Sequence, residues 1–134
     1  HDRRHMCRAV MEDVCYQLKM GAEYNLKEKG RSIPEKVRAI GGGSCSGVWM
    51  QILADVLGVT IEVPAATRHA GTLGTAYCAL VGLGLCDNIE DAARRVKIAN
   101  VYTPNPEAVA VYEKGYRVFE KIYGTLAPLF ESDI

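Results

Sequence analysis

The chain has 134 residues, and its 16 basic and 16 acidic side chains cancel to a formal net charge of +0 at pH 7. That balance supplies no global charge to draw nucleic acid or an anionic membrane, while the length allows one domain with a real core. The most apolar run, Ala76–Leu85, is broken by Gly82 and Gly84 and is about half the length of a membrane-spanning helix.

No secretory pattern opens the sequence. Its five cysteines (Cys7, Cys15, Cys45, Cys78 and Cys86) contain no C-x-x-C pair and are odd in number. A metal site and a disulfide framework are therefore not expected, and a reducing cytoplasm fits best. His1, His5 and His69 are isolated and read as surface or helix-end residues. The chain begins at His1, almost inside a helix, and so reads as a portion of something larger.

In chain order, residues from about Asp2 to Lys29 read as one helix. Met6, Val10, Val14 and Leu18 form an i, i+4 row beside Cys7, Met11 and Cys15, with Gly30 as the stop. Arg31-Ser32-Ile33-Pro34 turns into a short strand through Val37, Ala39 and Ile40. Gly41, Gly42 and Gly43 follow, then Ser44, Cys45 and Ser46. A second helix carries the apolar face Val48, Trp49, Ile52, Leu53, Val56 and Leu57 and ends at Gly58. Thr60 to Val63 reads as a strand closed by Pro64, which completes a βαβ unit and hence a parallel pair.

A helix from Ala70 to Gly84 places Gly71, Gly74, Thr75, Cys78, Ala79 and Gly82 on one side. Each glycine there costs ~1 kcal/mol of helix propensity against alanine, so close approach of another helix, or of a nucleotide, is expected. Asp87 with Glu90 suggests a capping box for a helix over Ile89 to Val96, followed by an extended segment to Thr103. Asn105 and Pro106 open a final helix. Its seam of Val109, Tyr112, Tyr116, Phe119, Tyr123 and Leu126 packs across the body of the domain. Two short strands alone leave a sheet edge exposed, which predicts self-association.

Strand, glycine turn and helix start make a place for a phosphate, because glycines admit close backbone approach and helix N-termini present unpaired N–H groups. Gly42 and Gly47 have P-loop spacing, but Val48-Trp49 stands where Lys-Ser/Thr is required. Gly41 and Gly43 begin a G-x-G-x-x-G with Ser46 in the third position, and Glu62 stands near the ribose-binding acid of a dinucleotide fold. A tight turn without ligand is the plain alternative. Cys45 is expected to be a small filler, since no histidine lies nearby in sequence to activate it.

Three stretches carry a resemblance to the FGGY family of carbohydrate kinases, the group of xylulokinase, gluconokinase and glycerol kinase. His5-Met6-Cys7-Arg8-Ala9-Val10-Met11-Glu12 resembles half of a family signature. Gly41-Gly42-Gly43-Ser44 with Trp49-Met50-Gln51-Ile52-Leu53-Ala54-Asp55-Val56-Leu57-Gly58 is similar to its G-G-G…W-x-Q-I-x-A-D block, and Leu73-Gly74-Thr75-Ala76 to its L-G-A-A helix. Asp13 and Gly47 depart from the pattern; the second replaces an adenine-contacting Asn of glycerol kinase, which leaves base contacts to backbone and shape.

The resemblance implies an α/β fold: a helix-rich part of an actin-like, ribonuclease-H-like ATPase domain with a short parallel strand pair. Residues 1–134 would be the C-terminal portion of the nucleotide-binding domain. Gly41, Gly42, Gly43, Ser44 and Gly47 would line the ADP site, with the N–H groups of Gly43 and Ser44 facing a phosphate. ATP and Mg2+ would be the cofactors, and a sugar or polyol, xylulose-like, the substrate. The catalytic Asp, the sugar-binding residues and most phosphate-loop residues would belong to the rest of the kinase chain, leaving this portion silent by itself. On this basis Gly43→Val is expected to weaken ADP binding. Two other readings stand beside it: a dinucleotide-binding piece of an oxidoreductase using Glu62, and a non-catalytic scaffold presenting the aromatic seam.

Overall fold

A computed structural model describes residues 1–131. Helix α1 spans Arg3–Lys27. Asp2 caps it by accepting from the N–H groups of Arg4 and His5, while the His5 ring reaches back to the Asp2 N–H. Its end is set by Gly30 at φ 63°, after which the Arg31 N–H returns to the Leu26 carbonyl at 2.8 Å. Only glycine adopts that left-handed conformation without steric cost.

Strand β1 (Lys36–Arg38) leads through the glycine loop into helix α2 (Gly47–Leu57), and strand β2 (Thr60–Pro64) follows. Strands β1 and β2 are parallel, with Val37 opposite Ile61. The predicted βαβ unit is present. The segment read only as extended is a third strand, β3 (Ile98–Tyr102), antiparallel to β2 with Glu62 opposite Val101. The sheet is therefore mixed, in the order β1-β2-β3. Strand pairing of β3 is nonlocal, and its Ile98, Ala99, Asn100, Val101 and Tyr102 are half-buried or exposed, so no alternating pattern marks them as a strand.

Helix α2 is the centre of the core. Met50, Ile52, Leu53, Ala54 and Val56 are buried, together with Ile61 and Val63 of β2, Cys15 of α1 and Tyr112 of the last helix. Helix α3 (Ala70–Gly82) and the short α4 (Ile89–Ala93) pack on each other. The cap of α4 is Asn88, whose side chain accepts the Asp91 N–H at 2.8 Å, one residue later than the Asp87 box expected. Helix α5 (Pro106–Glu131) opens as predicted, with Asn105 Oδ1 accepting the Glu107 N–H at 3.0 Å.

Two apolar patterns do not end in the core. On α1 the row Met6, Val10 and Leu18 is exposed, and the buried side chains are Cys15 and, unexpectedly, Lys19. On α3 no atom lies within 4 Å of a Cβ built at Gly71, Gly74 or Gly82. The three glycines of the small-residue stripe therefore face open space among the described residues.

Candidate nucleotide site

The glycine loop leaves the C-terminal end of β1. Gly41 has φ 95°, a conformation that side chains disfavour, and Gly42–Cys45 winds into a single 3-10 turn. Ser46 then caps α2 by accepting the Trp49 N–H at 3.3 Å. A second turn, Thr67–His69, follows β2 and lies against the first. Gly41 N–H donates to the Thr67 carbonyl at 3.2 Å, and the hydroxyls of Ser44 and Thr67 are hydrogen-bonded to each other. Loops at the carboxyl ends of neighbouring parallel strands are the ordinary ligand position in open α/β sheets.

The five predicted site residues come together in this loop but are not equivalent. Gly42 is exposed, and a Cβ built on it meets nothing within 4 Å. Its φ does not lie in the left-handed region. Gly43 is different, since its Cβ would stand 3.2 Å from the Trp49 ring. A side chain there strains protein packing before it reaches any ligand, so Gly43→Val is a poor probe of binding. Gly47 likewise lies under the Tyr102 hydroxyl, 3.1 Å from a built Cβ. Ser44 is buried and acts as a strut: its Oγ donates to the Gly41 carbonyl at 2.7 Å, and its N–H turns to the same carbonyl at 3.3 Å.

The rest of the long motif holds the loop's foundation in place. Trp49 Nε1 donates to the Met11 carbonyl of α1 at 3.2 Å. Asp55, buried in α2, accepts from Gln51 Nε2 at 2.9 Å and from the Asn105 N–H at 2.8 Å, and Gln51 also reaches the Thr103 carbonyl. A buried carboxylate is retained only with such partners. Arg8 and Glu12 of α1 pair with each other at 2.7 Å, and both meet the Tyr112 hydroxyl of α5. These residues tie α1, α2 and α5 together beneath the loop.

Burial pushes the Cys15 thiol up to about 11, so it remains uncharged as a core filler. Cys45, expected to be a filler, is instead exposed, and its Sγ accepts from Arg68 Nε at 3.2 Å. Thr67 and Arg68 were missed from the sequence, although a signal existed: the turn after β2 must adjoin the turn after β1 once the strands are parallel. Glu62, the alternative ribose ligand, is engaged within the sheet by Arg38 Nε at 3.2 Å. An open hollow of about 630 Å³ passes under the loop between α1 and β1, lined by Val14, Leu18, Val37, Ile40 and Trp49. Its apolar walls do not suit a phosphate. Among the described residues no cluster of three His, Cys, Asp or Glu side chains could hold a metal ion.

Residues 1–83 match the C-terminal domain of the FGGY family of carbohydrate kinases. The chain belongs to the FGGY family. It is 32% identical over 127 residues to the L-xylulose/3-keto-L-gulonate kinase of Escherichia coli K12, covering 94% of this chain and 25% of that protein. The ligand-bound xylulose kinase of Lactobacillus acidophilus superposes with TM-score 0.84 at 28% identity, over 95% of this chain and 25% of that one. The xylulose kinase of Rhodospirillum rubrum superposes with TM-score 0.80 at 33% identity, over 98% of this chain and 26% of its own. The chain thus spans about a quarter of the length of these FGGY relatives. The helix-rich α/β architecture, with β1 and β2 parallel, is that of the family's C-terminal domain.

Proposed function

We propose that this FGGY chain is the nucleotide-binding portion of an ATP-dependent carbohydrate kinase, with residues 1–134 as the C-terminal portion of its nucleotide domain. The observation that carries the proposal is the glycine loop, open to solvent above Gly41 and Gly42 at the mouth of the parallel pair. Gly41, Gly42 and Gly43 present backbone to the nucleotide, Ser44 braces the loop from inside, and Gly47 opens the helix beside the adenosine. ATP, when bound, supplies the phosphoryl group that a sugar or polyol hydroxyl accepts. Mg2+ arrives with the nucleotide; among the described residues no cluster of three His, Cys, Asp or Glu side chains could hold it. The catalytic base and most sugar contacts belong to the rest of the kinase, so the chain alone transfers no phosphate. The xylulose and L-xylulose kinases among its relatives favour a xylulose-like substrate.

Trp49 is the sole tryptophan and touches the loop at Gly43, so its fluorescence reports on the site. Titration with Mg-ADP is expected to give a saturable change, and NAD none. Gly42→Val, which adds bulk only on the open side, should weaken Mg-ADP by about tenfold, the equivalent of one charge-assisted contact. Response to NAD alone would favour the dinucleotide reading with Glu62. Silence to both ligands would leave either a half-site that needs the rest of the kinase or the scaffold, and Mg-ADP binding by the full-length kinase separates the two.

A further inference from the structure

Arg68 stands at the glycine loop without an acidic partner. Arg4, Arg8, Arg38 and Arg117 pair with carboxylates, whereas Arg3, Arg31, Arg94 and Arg95 share with Arg68 the lack of an ion pair among the described residues; what sets Arg68 apart is its place against the glycine loop. Among the described residues Arg68 has no such pairing; its one hydrogen bond is from Nε to the Cys45 sulfur. Sulfur is a weak acceptor, and the guanidinium carries five N–H donors in a flat fork that matches phosphate oxygens. Most of its bonding capacity remains unspent in this position.

The base of this arginine is fixed. Thr67, the preceding residue, is buried and hydrogen-bonded to Ser44, and its carbonyl receives the Gly41 N–H. The backbone that carries Arg68 is thereby bolted to the loop, while the exposed side chain is steered toward Cys45 within it. Above Gly41 and Gly42 the space is open. An anion resting on the loop backbone would find an exposed guanidinium beside it, held by a single hydrogen bond to a weak sulfur acceptor.

We propose that Arg68 is the cation that grips a phosphate of the nucleotide at the glycine loop, with Cys45 holding the guanidinium in place until the nucleotide arrives. This rests on the nucleotide reading of the loop. A charge-assisted fork to phosphate is stronger than a neutral contact, and it acts on the phosphates alone, not on the nucleoside.

The test compares the wild-type chain with Arg68→Gln and Arg68→Lys by Trp49 fluorescence, using Mg-ADP and adenosine as separate ligands. Circular dichroism checks that each variant is folded. Arg68→Gln should weaken Mg-ADP by about tenfold and adenosine by less than about twofold, with Arg68→Lys between wild type and Gln. The Kd for Mg-ADP should also depend less steeply on salt in Arg68→Gln. Equal Mg-ADP affinity in wild type and Arg68→Gln would overturn the role of Arg68 and leave the nucleotide site standing. Equal losses for Mg-ADP and adenosine would show that the arginine shapes the loop, overturning the phosphate role. A wild-type sequence that binds no Mg-ADP either as this chain or within the full-length kinase would overturn both proposals.

Discussion

Lys19 is a lysine in an unusual place, with a side chain only 11% exposed between α1 and α5. Burial of an ammonium is tolerated because Nζ donates to Glu113 Oε2 at 2.8 Å and lies 4.5 Å from the centroid of the Tyr116 ring. Glu23 on α1 accepts from the Tyr116 hydroxyl and extends the cluster. The Lys19 hydrogen bond, with Arg117 adding charge, holds the Glu113 carboxyl below the usual carboxylate range. A depressed folded pKa means that the unfolded chain takes the proton first as pH falls. The pair therefore stabilises the fold above the ordinary Glu value of about 4.3 and loses that contribution as pH drops through the lower folded value. Glu113→Gln should lower the urea midpoint at pH 7, modestly because this carboxylate is partly exposed and screened. At pH 3 the gap to wild type should narrow, as read by Trp49 fluorescence; a pH-independent gap would assign the loss to packing instead.

Among the elements, the crossing of α1 and α5 has the least room. A Cβ built at Gly115 collides with the Tyr16 hydroxyl, and the ring of Tyr16 also meets Tyr112, Tyr116 and Phe119. Glycine is present there for closeness, not for backbone freedom. Gly115→Ala should cost about 1–3 kcal/mol by overpacking despite its better helix propensity. Removing the hydroxyl in Tyr16→Phe should recover part of that loss in the double variant, as urea unfolding of the four-member cycle would show. Simple additivity would mean that the two sites do not clash. The aromatic seam was legible in spacing as far as Phe119, since Tyr112 and Tyr116 are buried. Tyr123 and Leu126 continue the same period yet are 55% and 43% exposed, because α5 outruns the elements available to cover it.

For the whole molecule, β1 and β3 are both edge strands among the described residues, and the outer edge of β1 lies beside the apolar hollow and the exposed row Met6, Val10 and Leu18. Unpaired strand edges and contiguous apolar surface drive association. The sedimentation coefficient should rise with concentration, and Val10→Lys with Leu18→Lys should hold the chain monomeric; a wild-type monomer at every concentration would refute this. The sequence by itself determined the local features: the cap at Asn105, the stops at Gly30 and Gly58, the βαβ unit and the family. Each depends on backbone sterics or hydrogen bonds within a few residues, and such constraints are written in spacing. Tertiary structure alone decided the rest. Strand β3 exists through pairing with β2, whose partners lie 34 (Pro64–Ile98) to 41 (Ile61–Tyr102) residues away along the chain. Lys19 is buried because Glu113 reaches it, Gly43 answers to the Trp49 ring, and Arg68 joins the glycine loop because two parallel strands place their carboxyl ends side by side. Those outcomes depend on which distant surfaces meet, and periodicity along the chain carries no record of that.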